Sequence, residues 1–427
     1  MRFMKADIKM NAGQSLIEVL VGLTIGAILI GGASLGVGFI LKSTTSNDNL
    51  QSASGIVRQA LDEVRSYASA NWQNIYGLTK GSSASYFLNS SGTIFYTIGG
   101  KEGVLSRDVT NGLVGRWGFD EATGTIAYDM SGNGNNGTLM NSPTRATSTC
   151  QVGYCLSFNG TNTVDIAATS TINFVTNGTF SISVWINPDT FSTTWRRGIM
   201  RLENYLTSGY RFGFGGSGQP LFWTSQSGGT ILLSGSSNLV LNKLNNLVVT
   251  YNNQQGNMYL NGILIASSTG TYIAGNNTLR LGDNVNNEKF SGIMDDVRIY
   301  NRALSATEVK NLYDSKPFSS FFTVENVCRS NDSSSTIVST EPCVGGSISD
   351  PITQRLTSRV EWNDRGTSNN MELGDYITRW ENKVFHQTDW SGGSGIDGPL
   401  TLPNTQYSSS TNVDATTNKG SIRIQGL

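Results

Sequence analysis

Gly13-Gln-Ser-Leu-Ile-Glu18-Val-Leu-Val-Gly22-Leu-Thr-Ile-Gly26-Ala-Ile-Leu-Ile30 opens an apolar run that reaches Leu41 and holds one ionisable residue, Glu18. A short leader with Arg2, Lys5 and Lys9 precedes it. From Leu16 to Leu41 the run is long enough to cross a bilayer as a helix, which takes roughly 20 predominantly apolar residues. A secretory signal peptide is cut after its apolar stretch, whereas Gly13 lies before this one. Cleavage at Gly13 removes residues 1–13 with their basic charge and leaves the hydrophobic helix on the mature chain. The segment therefore reads as a retained membrane and assembly helix.

Gly13 followed by Gln14-Ser15-Leu16-Ile17-Glu18 resembles the type IV prepilin processing site. The resemblance implies that a prepilin peptidase cuts after Gly13, methylates Gln14 as the new terminus and leaves Glu18 at the fifth mature position. Phe is the usual first residue in that family, and the departure to Gln14 bears on methylation more than on cleavage. A carboxylate at the bilayer centre costs about 2.5–3.5 kcal/mol on insertion scales. Glu18, though nearer one end of the run, therefore seeks a partner, and the one the resemblance implies is the Gln14 amine of a neighbouring pilin subunit. The alternative is an ordinary anchor with one tolerated carboxylate.

Gly22, Gly26, Gly31, Gly32, Gly36 and Gly38 are dense for a helix interior, where each costs roughly 1 kcal/mol relative to Ala. Two readings stand side by side: a stretch that unwinds when subunits pack, as the resemblance to pili implies, or close helix contact of the kind small residues allow in membranes. Beyond the polar break at 43–49, Leu50, Val57, Leu61, Val64, Ala68, Trp72 and Ile75 recur at spacings of three, four and seven. That period predicts an amphipathic helix with one buried stripe. Helical throughout, residues 14–75 make a rod about 90 Å long at 1.5 Å per residue.

With 427 residues, two or three domains are expected. The 49 Gly, a charged fraction of only 14% and abundant Ser, Thr and Asn point to secreted β-structure, and a formal charge of −1 gives no nucleic-acid-binding signal. Four cysteines fall into two close pairs, Cys150 with Cys155 and Cys328 with Cys343. An even count on a chain presented outside the membrane favours disulfides over a zinc site, which wants four N or S ligands where the sequence has one histidine, His386.

Between Leu113 and Asp314 the pattern changes to short alternating strands. Phe180-Ser-Ile-Ser-Val-Trp-Ile186 and Leu247-Val-Val-Thr-Tyr251 alternate with period two. Met258-Tyr-Leu260 turns at Asn261-Gly262 into Ile263-Leu-Ile-Ala266, the strongest short hairpin signal. Many such strands argue a sandwich. The ordered motifs Gly112-Leu-Val-Gly-Arg-Trp-Gly-Phe-Asp-Glu121, Asp129-Met-Ser-Gly-Asn-Gly-Asn-Asn-Gly-Thr-Leu139, Gly153-Tyr-Cys-Leu-Ser-Phe-Asn-Gly160 and Gly292-Ile-Met-Asp-Asp-Val-Arg-Ile-Tyr-Asn-Arg-Ala-Leu-Ser305 resemble the concanavalin A-like, laminin-G-like jelly-roll family. Members of that family include carbohydrate-binding modules, adhesion domains and modules appended to enzymes.

Asp129, Ser131, Asn133 and Asn135 place an oxygen side chain at every second residue, with Gly134 where a calcium loop needs its sharp turn. Met140 occupies the twelfth position, where the closing Glu belongs. A calcium site would need a carboxylate from elsewhere, and Asp295 and Asp296 are the candidates. An Asx-rich turn capped by its own side chains is the competing reading. Trp117, Phe119, Phe158 and Trp185 stand in the family motifs, and Trp117 and Phe119, which share a strand face with Leu113, are expected in the core. Trp195, Tyr210 and Trp223, in less patterned stretches, are the candidates for stacking on a sugar, against ordinary packing.

Residues 86–98 read as a hairpin, and Phe322–Val327 and Arg355–Trp362 as strands around the Cys328–Cys343 loop. The expected fold is accordingly α+β and pilin-like, a long N-terminal helix with an antiparallel sheet, carrying an inserted all-β jelly-roll sandwich. The divisions are a leader (1–13), the transmembrane and assembly helix (14–75), a first part of the head (76–112), the jelly roll (113–314), a second part of the head (315–390) and a Ser/Thr/Gly-rich tail (391–427). Insertion is physically reasonable because the ends of compact domains often lie close together.

No catalytic set is expected: nucleophilic mechanisms must share His386, and no paired carboxylates for glycoside hydrolysis stand on one strand. The resemblances imply a surface pilus subunit, minor or at the tip, whose jelly roll binds a glycan or surface protein. The alternative is a pseudopilin-like part of a secretion or DNA-uptake machine whose insert serves assembly contacts. Either begins as a single-pass precursor in the cytoplasmic membrane, and the pilus subunit ends outside the cell.

Overall fold

The computed structural model describes residues 47–91, 94–174, 176, 178–191, 197–204, 208–224, 232–283, 289–331, 336–364, 367–379, 413–414 and 423–424. Gly13, Gln14, Glu18, the apolar run, Trp195 and His386 lie outside them. Among the described residues no helix is long and apolar enough to cross a membrane. The chain divides into two units, Met1–Ser52 and Ala53–Leu427; of the first, the described residues 47–52 are helical.

Helix α1 covers 47–70, and a short α2, Gln73–Tyr76, follows it. Ala53, Val57, Leu61, Val64 and Ala68 form the buried stripe, extended by Trp72 and Ile75. Leu50, expected in that stripe, is 43% exposed, so the buried face begins one turn later. The stripe packs on Phe318, Phe322, Val324, Leu356, Val360, Trp362 and Ile377 of one sheet. Burial of each large side chain stabilises by about 1.5–3 kcal/mol. At the end of α2, Lys80 Nζ donates to the Ile75 and Tyr76 carbonyls of the last turn.

That sheet has seven antiparallel strands in the order Ile94–Gly99, Tyr86–Ser91, Pro317–Arg329, Ile348–Asp364, Thr367–Thr378, with Glu102–Leu105 and Ile337–Thr340 also paired to Pro317–Arg329. Strands from before residue 106 and after residue 316 therefore share one ladder: Leu105 lies opposite Pro317 and Tyr86 opposite Phe322. The Ser106 N–H donates to the Lys316 carbonyl at 2.9 Å, closing the point where the chain leaves and returns. The expected strands fall inside longer ones, whereas Glu102–Leu105 carries no hydrophobic alternation and that of Thr367–Thr378 rests on Met371, Leu373 and Ile377 alone.

Residues 113–300 build two further antiparallel sheets of eight strands each. One runs Ile263–Thr269, Gln255–Leu260, Asn245–Asn252, Phe180–Pro188, Ser291–Tyr300, Cys155–Asn159, Thr144–Ala146, and Leu113–Trp117 also pairs with Ser291–Tyr300. First and last strands are thus neighbours. The other runs Leu232–Ser234, Pro220–Thr224, Ser208–Phe214, Arg197–Asn204, Leu279–Leu281, Thr163–Ile166, Gly137–Met140, Ile126–Ala127. Between them lies one core, centred on Phe180 with Phe174, Tyr210, Phe222, Tyr251 and Tyr272 around it. Trp117, Phe119 and Phe158 belong to it. Trp185 is also buried, stacked on Tyr313 of helix α3, Ala306–Asp314.

The Asn261-Gly262 hairpin forms as its sequence predicts. Both residues have positive φ, 52° and 76°, the backbone hand that matches strand twist and that Asn and Gly tolerate best. Helix α3 starts in a capping box: Ser305 accepts from the Glu308 N–H, and the Glu308 carboxylate accepts from the Ser305 N–H.

Candidate functional site

Asp129 is completely buried. Its Oδ1 accepts from the backbone N–H of Arg116 and of Ser131, each at 2.9 Å, and its Oδ2 from the Asn135 N–H at 2.9 Å. Ser131 Oγ accepts from Asn133 Nδ2 at 3.0 Å. Asn135 Oδ1 accepts from the Thr169 and Thr171 hydroxyls, while its Nδ2 donates to the Val114 carbonyl. The loop is a turn organised around one carboxylate, as Asx turns are.

Asp295 and Asp296 do not complete this loop. They sit on the closing strand at a bulge, where the register opposite Phe180–Pro188 shifts, and both point inward. Asp295 Oδ2 accepts from the Gln151 and Val152 N–H groups at 2.7 and 3.2 Å. Asp296 receives Arg298 Nε at 3.0 and 2.9 Å and Arg116 Nε at 3.3 Å. Among the described residues, no group of three or more His, Cys, Asp or Glu could hold a metal ion. A cation beside Asp129 would face three inward N–H dipoles, so the six candidate residues do not fit calcium.

What Asp295 and Asp296 join instead is a buried ionic cluster between the seven-stranded sheet and the sandwich. Asp120 Oδ2 accepts from the Gly103 N–H at 2.6 Å and its Oδ1 from the Tyr154 N–H at 3.0 Å. Arg116 donates to the Gly103 carbonyl and lies 3.8 Å from Glu102, and Arg298 pairs with Asp108. Burial, and then the neighbouring Asp295, push the Asp120 carboxyl well above its ordinary range. Burial and Asp296 do the same to Asp295. Burial pushes Glu102 up to about 7 against the lowering pull of Arg116.

The Cys150–Cys155 disulfide, with Cα atoms 5.5 Å apart, closes the small loop that supplies three of these N–H donors. Gly153 within it has φ of 61°, and a Cβ there would stand 2.0 Å from Asp120 Oδ1, so only glycine serves. The second disulfide, Cys328–Cys343, also forms. A cleft of about 460 Å³ opens beside the cluster, bounded by Glu63 of α1, Phe95, Glu102, Asp108 and Arg116.

The two described aromatic candidates are both buried, as the packing reading has them. Tyr210 is fully buried in the sandwich core, because its position on Ser208–Phe214 faces inward with Phe212 and Phe214. It offers no surface for stacking. Trp223 lies on the opposite, outward side of its strand yet is only 8% exposed, with the Arg211 guanidinium 5.3 Å above its ring.

Residues 8–34 match the prokaryotic N-terminal methylation motif. Residues 158–310 match a laminin G-type family of the concanavalin A-like lectin/glucanases superfamily. The chain joins a pilin-type methylation motif to a concanavalin A-like domain. The motif marks a type IV pilin or pseudopilin precursor, which is anchored in the membrane and assembles with other subunits after prepilin peptidase processing.

No curated protein shows significant similarity to the chain. Several solved structures resemble it. Domain 4 of the extracellular GH43 arabinanase AbnA from Geobacillus stearothermophilus, in complex with arabinotriose, is 21% identical over 47% of this chain and 98% of that one, with a TM-score of 0.40. The binding domain of Paraclostridial mosquitocidal protein 1 is 14% identical over 64% of this chain and 76% of its own, TM-score 0.42. The binding domain of botulinum neurotoxin serotype G is 14% identical over 58% and 75%, TM-score 0.39.

Sequence reading missed Glu102, Asp108, Arg116, Asp120 and Arg298 as one group. A signal existed: Asp120-Glu121 and Asp295-Asp296 are acidic pairs beside apolar strands, and buried carboxylates need cations or N–H donors nearby. It also missed the polar outer face of the second sandwich sheet, where Arg280 grips Asp165 through two hydrogen bonds of 2.8 and 2.7 Å.

Proposed function

We propose that the protein is a minor or tip subunit of a surface type IV pilus that presents its concanavalin A-like domain for adhesion to a glycan or surface protein, and that it is not an enzyme. One observation carries the reading: an assembly motif and a lectin-type sandwich stand on one chain, with the sandwich held between two halves of a single sheet that backs a long helix. The seven-stranded sheet, on which helix α1 packs, belongs to the pilin-like head, in two parts (76–112 and 315–390), and residues 113–314 are its insert. Residues 14–75 form the membrane and assembly helix, with Glu18 set against the Gln14 amine of the next subunit.

A bulky insert repeated on every subunit crowds a tightly packed filament, which favours a sparse or terminal position. Two of the buried carboxylates are spent on holding backbone: each oxygen of Asp120 and Asp295 is occupied by N–H donors. The full-length protein in detergent, applied to a glycan array, is expected to give saturable binding to a restricted set of saccharides. An array without binding, together with no retention on host-surface protein, would leave an assembly role alone.

A further inference from the structure

The outward side of the second sandwich sheet carries one transverse row of side chains in direct register. Trp223 lies opposite Arg211, Arg211 opposite Arg201, Arg201 opposite Arg280 and Arg280 opposite Asp165. Their chain neighbours Phe222, Tyr210, Phe212, Leu202, Leu281 and Val164 are buried in the core, so alternation sends the row to the outer face. Three arginines opposed on adjacent strands are an unfavourable cross-strand arrangement. A sheet that needed only to cover its core has no use for it.

Carboxylates are threaded through the row. Arg280 holds Asp165 through both oxygens, and the buried Asp283 receives Arg201 Nε at 3.1 Å and Arg280 Nη1 at 3.4 Å. Arg201 and Arg280 keep side-chain exposures of 24% and 33%, and Asp165 of 21%, so these pairs reach solvent. Arg211 is braced flat over Trp223. The central pairs are electrically balanced, and fixed donors alternate with fixed acceptors from Arg201 to Asp165, over about 10 Å or two strand spacings.

We propose that this row is the saccharide-binding face of the concanavalin A-like domain and that its ligand class is a linear, uncharged oligosaccharide lying across the strands. The proposal rests on the carbohydrate-binding reading above. Neighbouring hydroxyls of a sugar both donate and accept, which matches guanidinium beside carboxylate, whereas an anionic chain would meet Asp165 and Asp283. Arg201, Arg280 and Asp165 make the contacts. Asp283 acts through the two arginines it holds and is a positioning residue.

The test uses the full-length protein in detergent on an array of neutral and uronic-acid oligosaccharides of one to six units, with thermal melts of every variant. The wild type is expected to bind neutral chains, longer ones better than monosaccharides. Arg201→Ala and Arg280→Ala should each weaken that binding at least tenfold. Thr138→Trp, which adds bulk opposite Asp165 at the exposed end of the row and leaves every arginine and carboxylate of it in place, should weaken it at an unchanged melting temperature and decides the matter if an arginine variant fails to fold. Wild-type binding that survives all three substitutions overturns the row while leaving the carbohydrate reading intact. Binding confined to uronic-acid chains overturns the ligand class. No binding by the wild type overturns both the row and the reading beneath it.

Discussion

Asp129 concentrates the question of calcium in one side chain. Its three backbone N–H donors engage both of its oxygens, so melting temperature is expected to be the same with millimolar calcium and with chelator. Asp129→Ala should cost about 3 kcal/mol in either condition, the scale of losing charge-assisted hydrogen bonds at a buried site. A calcium-dependent rise in melting temperature, abolished in that variant, would restore the metal. The oxygen spacing was legible in the sequence; the direction of the N–H groups was not, because backbone orientation around a loop is set by the strands it joins. Glu102 gives the pH dependence. Its folded carboxyl sits near 7 instead of the ordinary 4.5, so the folded state prefers it protonated. Its contribution is complete below about pH 4.5 and is lost as pH rises through 7. Asp120 and Asp295 act in the same direction. Glu102→Gln should therefore flatten the fall in melting temperature between pH 4.5 and 8; a parallel curve would show that Glu102 titrates normally.

Among elements, α1 was readable because its apolar period survives packing, and Val57, Leu61, Val64 and Ala68 all reach the sheet. Leu50 misled because period alone does not say where the partner surface begins. Strand Thr367–Thr378 was missed for a related reason: it lies at the end of the sheet order, and its packed face is thin, with Met371, Leu373 and Ile377 standing among mostly polar or small residues. Leu61→Ala is expected to destabilise by about 2–5 kcal/mol, as buried Leu truncations do, measured by denaturant unfolding followed by far-UV circular dichroism. The Cys328–Cys343 bridge closes a loop of 15 residues across the edge of the same sheet. Replacing both cysteines with Ser should cost about 3 kcal/mol by the loop-entropy estimate. An unchanged unfolding midpoint would mean that the strands Pro317–Arg329 and Ile337–Thr340 hold that loop without it.

For the whole molecule, the sequence made the two families legible through short motifs, while the way they are joined did not show in those motifs. The ladder from Leu105 to Pro317 has no motif, and Arg116 and Asp120, though inside the first jelly-roll motif, bond across it to Gly103. Maturation is expected to cut between Gly13 and Gln14, seen as the loss of residues 1–13 in the intact mass of the membrane fraction. Glu18→Val should insert into the membrane as well as the wild type and enter filaments poorly, because only the assembled state uses the charge. Normal incorporation would make Glu18 incidental. The central claim, a pilus subunit that displays a lectin-type sandwich, is tested most directly by immunogold electron microscopy with antibody against residues 113–314. The account predicts gold on filaments at sparse or terminal positions; gold confined to the cell envelope, with every filament bare, would contradict it.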